Sequence, residues 1–186
     1  MADAVARIPV NVVETRWLRA LPPAARFVFR GDAHARLAAG GALGAPLATI
    51  TGRAVTHGAR LALSLGPDEH LLIAPEDDAR AFATELDGAL ADRPHSLVDV
   101  SHRQVALELR GKYAEWLLGA ACPLPLDVGV FPVDACTRTV FAKAEVVLWR
   151  TTTDVFRIEV ARSYCRYVVE LLGEVARELP ADRGNP

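Results

Sequence analysis

Phe29-Arg30-Gly31-Asp32 and Leu109-Arg110-Gly111-Lys112 follow one pattern. In each, an apolar residue and an arginine end a β-like run, and a glycine turns the chain into helix-forming sequence. Pro46-Leu47 is echoed by Pro123-Leu124, and Asp68 by Asp154, each aspartate standing just before an apolar run. The offsets, roughly 77 to 86 residues, mark an internal duplication, so one unit of structure is expected twice.

Working outward from the first copy, Arg26 to Arg30 reads as a strand that stops at Gly31-Asp32-Ala33. Alanine- and leucine-rich sequence to about Ala42 then reads as a helix, ended by Gly40-Gly41 and Gly44. Arg60 to Leu65 and Glu69 to Ala74 are apolar runs joined by Gly66-Pro67-Asp68, whose turn chemistry predicts a hairpin closed by Pro75. Glu76-Asp77-Asp78 puts acids where a helix dipole favours them, and Ala79, Phe82, Ala83, Leu86 and Leu90 recur at helical spacing up to Arg93-Pro94.

The second copy repeats this order: strand Val105 to Arg110, helix Lys112 to Ala121, strand Thr139 to Arg150, strand Val155 to Val160 and helix Ser163 to Glu178. Ser163 is the expected N-cap of the last helix, with Tyr164, Tyr167, Val168, Leu171, Leu172 and Val175 on its inner face. The predicted fold class is α+β: duplicated split β-α-β units, with mainly antiparallel sheets and helices on one face. The predicted divisions are an extended segment at 1–25, a first half at 26–94, a second half at 95–179 and a tail at 180–186.

Composition narrows the function. With 186 residues and 51% hydrophobic content the chain can bury a full core, and a net charge of −2 gives no basic field to hold nucleic acid or an anionic membrane. Met1-Ala2-Asp3-Ala4-Val5-Ala6-Arg7 lacks a basic start followed by an apolar stretch, and no apolar run reaches the roughly 18 residues of a bilayer span, so a cytoplasmic location is expected. Cys122, Cys136 and Cys165 are odd in number, far apart and free of any C-x-x-C pair, which fits reduced thiols.

Several groups carry potential chemistry. Asp99, Ser101 and His102 are the residue types of a nucleophilic triad, but neighbouring strand residues point to opposite faces, so a polar strand end with Ser101 and Asp99 capping a turn is expected instead. Cys122 follows the C-terminal end of a predicted helix, where the dipole opposes a thiolate. His34, His57, His70, His95 and His102 show no H-x-x-x-H or H-E-x-x-H spacing and no dense acidic cluster, so no metal site is expected. Gly31 and Gly111 lack the surrounding pattern of a phosphate loop and read as equivalent tight turns. Arg138, Lys143, Arg150, Arg157 and Arg162 could meet a carboxylate or polyglutamate tail, but a solvated strand face or an ion-paired subunit contact explains them better. With no complete set of nucleophile, base and orienter, neither catalytic nor cofactor-binding residues are assigned.

Four phrases, Leu65-Gly-Pro-Asp-Glu-His-Leu-Leu72, Val98-Asp-Val-Ser-His-Arg103, Ala121-Cys-Pro-Leu124 and Arg157-Ile-Glu-Val-Ala-Arg-Ser163, resemble in order the sarcosine oxidase gamma-subunit family. The resemblance covers nearly the whole chain from about residue 25. It implies a fold related to the folate-binding fold of glycine-cleavage T-proteins, whose corresponding segment is similar to Val98-Asp-Val-Ser-His102 with Gly111. It also implies a non-catalytic subunit working with alpha, beta and delta partners that hold FAD, FMN, NAD, zinc and the tetrahydrofolate site, none of them bound by this chain. The implied complex oxidatively demethylates sarcosine to glycine, with hydrogen peroxide and a folate-borne one-carbon unit. Two positions depart from the pattern: His70 stands where many relatives have an aromatic, and Ala144-Glu145 where T-proteins show an acidic pair. The alternative is a stand-alone folate-binding or aminomethyltransferase-like protein.

Overall fold

A computed structural model describes residues 12 and 14–179; the expected tail at 180–186 and residues 1–11 and 13 of the expected N-terminal segment lie outside it. The chain begins with a short strand, β1 (Leu18–Ala20), then β2 (Ala24–Gly31), helix α1 (Ala33–Leu43) and strands β3 (Ala54–His57), β4 (Arg60–Ser64) and β5 (Glu69–Pro75). A single 3-10 turn, Glu76–Asp78, leads into α2 (Ala79–Leu90). After it come β6 (His95–Asp99), β7 (Gln104–Arg110), α3 (Ala114–Gly119), β8 (Cys136–Phe141), β9 (Ala144–Thr152), β10 (Val155–Ala161) and α4 (Arg162–Ala176). No helix among the described residues is long and apolar enough to cross a membrane.

The strands form two five-stranded sheets, ordered β3-β4-β5-β2-β6 and β1-β7-β10-β9-β8, and the paired strands in both run antiparallel. The chain crosses between them at both edges. β6, from beyond residue 94, pairs with β2 through Val28 and Val98, while β1, from ahead of the first copy, pairs with β7 through Leu18 and Leu109.

Strand alternation explains the layering. Phe27 and Phe29 of β2 and Leu72 of β5 face α1 and α2 in one core, and Leu107, Leu148, Ile158 and Val160 of the second sheet face α3 and α4 in another. Residues of opposite parity, Ala24, Leu61, Leu63, Leu71, Ile73, Cys136, Val147 and Trp149, meet in a third core between the sheets. The molecule is therefore stacked helices, sheet, sheet, helices, each sheet carrying helices on one face as its alternation requires.

The duplicated residues do the same work in both copies. Gly31 donates its backbone N–H to the Asp68 carbonyl at 3.2 Å, and Gly111 donates to the Asp154 carbonyl at 2.9 Å, so each glycine ties its strand end to the hairpin turn beside it. The reasons for glycine differ. Gly111 has φ +100, whereas a Cβ at Gly31 would lie 2.7 Å from the Ala35 Cβ and 2.9 Å from the Phe29 ring.

Several elements differ from the sequence expectation. The expected strand Thr139 to Arg150 is a hairpin, β8 and β9, whose turn at Ala142-Lys143 puts Ala142 at φ +50 without any of the residues that usually signal such a turn. The expected helix Lys112 to Ala121 shortens to α3, because the Leu118 carbonyl accepts from Ala121 at 3.1 Å and Cys122 at 2.9 Å and Pro123 follows. α4 starts one residue before Ser163, with Ala161 at the cap and no side-chain capping bond. Of the expected inner face, Val168 and Leu172 are buried and Tyr167, Leu171 and Val175 pack partly buried against the same core, while Tyr164 is 46% exposed and Cys165 is buried instead. The strand at Ala54–His57 has no expected counterpart; it pairs with β4 across a turn that holds Gly58 at φ +57.

Candidate functional site

Charged residues inside a strand normally mark a solvated face, yet here the strands stack face to face and bury them. Arg26 of β2 and Glu159 of β10 are 2% and 1% exposed. The Arg26 Nε donates to Glu159 Oε2 at 2.6 Å, and Arg157 Nε donates to the other carboxylate oxygen at 2.8 Å. A second guanidinium nitrogen of Arg26 donates to the Ala24 carbonyl at 2.9 Å. Burial alone would push the Glu159 carboxyl up, but Arg157 and Arg26 outweigh it and hold it below the ordinary carboxylate range. A second crossing lies nearby, where Arg30 of the first sheet and Arg138 of the second both donate to the buried Glu69 carboxylate.

Ser101 and Asp99 belong to this seam. The Ser101 hydroxyl accepts from the Arg26 backbone N–H at 2.9 Å and donates to Asp99, whose Oδ1 also accepts from the Ser101 backbone N–H at 2.8 Å. Ser101 and His102 lie in the turn after β6 rather than in a strand, so alternation does not govern them; Asp99 and buried Ser101 form the expected turn cap, and exposed His102 takes no part in it.

The basic residues of the second hairpin are dispersed rather than gathered into a patch. Arg138 is drawn to Glu69, with Glu145 at 3.8 Å, and Arg157 to Glu159. Arg150 is fully buried, lies over the Phe156 ring at 4.4 Å, and donates to the Thr153 and Leu126 carbonyls and, at 3.1 Å, to Glu115. Arg162 Nε lies 3.5 Å from the His102 carbonyl, and Lys143 is exposed in the β8–β9 turn.

All three thiols are buried. Cys136 sits between the sheets, where burial pushes its thiol up to about 12, and burial also raises Cys165 in the core beneath α4. Cys122 lies against Thr139, its sulfur 3.9 Å from the hydroxyl. Of the five histidines only His70 is buried; its Nε2 donates to the Ala48 carbonyl at 3.0 Å, and burial lowers its ring below the ordinary histidine value. No group of three or more His, Cys, Asp or Glu side chains that could hold a metal occurs among the described residues. Ala144 points into the core and Glu145 to solvent, so these two positions cannot supply the paired carboxylates associated with folate chemistry in T-proteins.

Sequence reading missed the Arg26–Glu159 seam. The available signal was a charge set among apolar residues in two strands, Arg26 in Ala24-Ala25-Arg26-Phe27 and Arg157 with Glu159 in Phe156-Arg157-Ile158-Glu159.

Comparison with known proteins places this architecture. Residues 30–178 match the model of the family described as sarcosine oxidase, gamma subunit. The sarcosine oxidase subunit gamma of Corynebacterium sp. (strain U-96) is 34% identical over 154 residues, covering 80% of this chain and 71% of that one. A relative of the same description from Arthrobacter sp. is 38% identical over 118 residues, 63% of this chain and 57% of its own. Among solved structures, heterotetrameric sarcosine oxidase from Corynebacterium sp. U-96, in complex with pyrrole 2-carboxylate, contains a chain that superposes with a TM-score of 0.82 at 29% identity, covering 90% of this chain and 87% of that one. The glycine cleavage system aminomethyltransferase T from Bartonella henselae shares the fold, with a TM-score of 0.65 at 18% identity over 83% of this chain and 44% of its own. On the strength of the family match, which spans most of its length, the chain belongs to the sarcosine oxidase gamma-subunit family.

Proposed function

We propose that the chain serves as the non-catalytic gamma subunit of a heterotetrameric sarcosine oxidase and supports its assembly with alpha, beta and delta subunits. On this reading the complex oxidatively demethylates sarcosine to glycine, releasing hydrogen peroxide and passing the one-carbon unit to tetrahydrofolate. FAD, FMN, NAD, zinc and the tetrahydrofolate site belong to the other subunits. The likeness along nearly the whole chain to a chain of a heterotetrameric enzyme carries the reading. It is supported by the way this chain spends its buried charges: Arg26, Glu159, Glu69 and Arg150 are engaged in bonds within the chain that join one sheet to the other or brace a loop.

The test is purification of the tagged chain from its native host. The expected product is a large assembly with visible flavin absorbance and larger co-purifying chains that stay bound through gel filtration, as an obligate interface would. Recovery of the chain alone as a monomer would contradict the assembly role. Titration of the isolated chain with tetrahydrofolate addresses the alternative, since saturable binding there would favour a folate-binding protein of the T-protein kind.

A further inference from the structure

At the glycine end of β7 the surface folds into a concavity of about 340 Å³. Its floor is apolar: Trp17, Tyr113 and Leu179 are partly buried against the core of the second sheet. Its rim is cationic, made by Arg16, Arg110 and Lys112, and none of the described lining residues is acidic. Lys112 is held near the floor, its Nζ 4.9 Å from the centre of the Tyr113 ring, and the Trp17 carbonyl accepts from the Arg110 backbone N–H at 2.9 Å, which fixes Trp17 beside the β7 terminus.

Among the described residues, Arg110 shares its single acidic partner with a second arginine. Its acidic neighbour, Glu108, is engaged by Arg19, which approaches one carboxylate oxygen at 2.8 Å and the other at 2.9 Å. Arg110 is left with a looser ion pair, 3.7 Å from that carboxylate and too long for a hydrogen bond; its Nε has no hydrogen-bond partner among the described residues, and its side chain is 41% exposed. A guanidinium in this condition favours a planar carboxylate, whose two oxygens match its fork. The floor and the volume set the rest of the ligand, because aromatic walls favour a flat apolar body and the space lies near the lower end of ligand pockets, roughly 300–1,000 Å³.

We infer that this concavity binds a small carboxylate carried on a planar apolar body, with Arg110 pairing the carboxylate and Trp17 and Tyr113 packing against the ring. The site is independent of the assembly role proposed above and is tested without it.

Benzoate serves as the probe and benzamide, nearly identical in shape but neutral, as its control, titrated into the nitrogen-15-labelled full chain. The indole N–H signal of Trp17 reports binding, and that of Trp149, between the sheets, is the internal reference. Benzoate is expected to shift Trp17 saturably and leave Trp149 in place, benzamide to give no saturable shift, and Arg110→Gln to weaken benzoate binding about tenfold at an unchanged melting temperature. Lys112→Gln, on an exposed side chain, provides a second variant with weakening of about threefold should Arg110→Gln fold poorly. An unmoved Trp17 signal, an equal response to benzamide, or full affinity in whichever variant folds would overturn the proposal.

Discussion

Arg26 and Glu159 join the sheets through a charge pair almost without solvent, and the two residues have unequal alternatives. Removing one partner strands a buried charge, which typically costs about 3–5 kcal/mol, whereas the pair itself contributes little beyond a hydrophobic replacement. Glu159→Leu, which strands Arg26, is therefore expected to lower unfolding free energy by about that amount in urea titrations; Arg26→Met, which leaves Glu159 its bond to Arg157, is expected to cost less, and the two together to recover part of the loss. His70 gives a pH dependence. Its folded ring titrates below the unfolded value of 6.5, so the unfolded state binds the proton first as the solution is acidified. The stability it confers is complete above pH 6.5 and falls as pH drops below that value, by at most about 1.4 kcal/mol per unit. His70→Phe, which keeps the ring beside Phe29, should flatten the dependence below pH 6.5 in thermal unfolding curves. The turn cap made by Asp99 and Ser101 was legible from their residue types, although Ser101 and His102 lie in the turn after β6 and not in a strand; the burial of Arg26 was not, because alternation says which side a residue faces and not what covers that side.

At the scale of elements, glycine shows how one letter in a repeat hides two constraints. Gly31→Ala must displace Ala35 or Phe29, while Gly111→Ala meets nothing within 4 Å and is opposed only by its backbone angle. Both should cost about 1–3 kcal/mol, but a double-mutant cycle with Ala35→Gly is expected to show coupling above about 0.5 kcal/mol for Gly31 and none for Gly111. The hairpin at Glu69 and helix α2 were readable, because Gly66-Pro67-Asp68 and the spacing of Phe82, Leu86 and Leu90 are local signals. The β8–β9 turn was not, since Ala142-Lys143 carries no turn chemistry and its positive φ is imposed by the strands on either side. The start of α4 was misplaced for a related reason: a serine near a helix end is a capping signal only when its backbone lies outside the helix, and packing of Cys165, Val168 and Leu172 decides where that helix begins.

For the whole molecule, the duplication was legible because it lies in the order of residues, while the stacking of the copies depends on contacts between residues as far apart as Arg26 and Glu159. The exchange of β1 and β6 across the repeat makes the halves interdependent, so unfolding followed by Trp149 fluorescence, in a Trp17→Phe, Trp116→Phe background, should coincide with loss of far-ultraviolet dichroism. A seam transition that precedes loss of secondary structure would show instead that the sheets separate as preformed bodies. Cys136 lies within that interior layer, whereas Cys122 and Cys165 lie under the helices of the second sheet. Each sulfur is thus a clock on a different door: alkylation of Cys136 in native buffer times the parting of the two sheets, and alkylation of Cys165 times the lifting of α4, so mass spectrometry of one reaction mixture records both motions side by side.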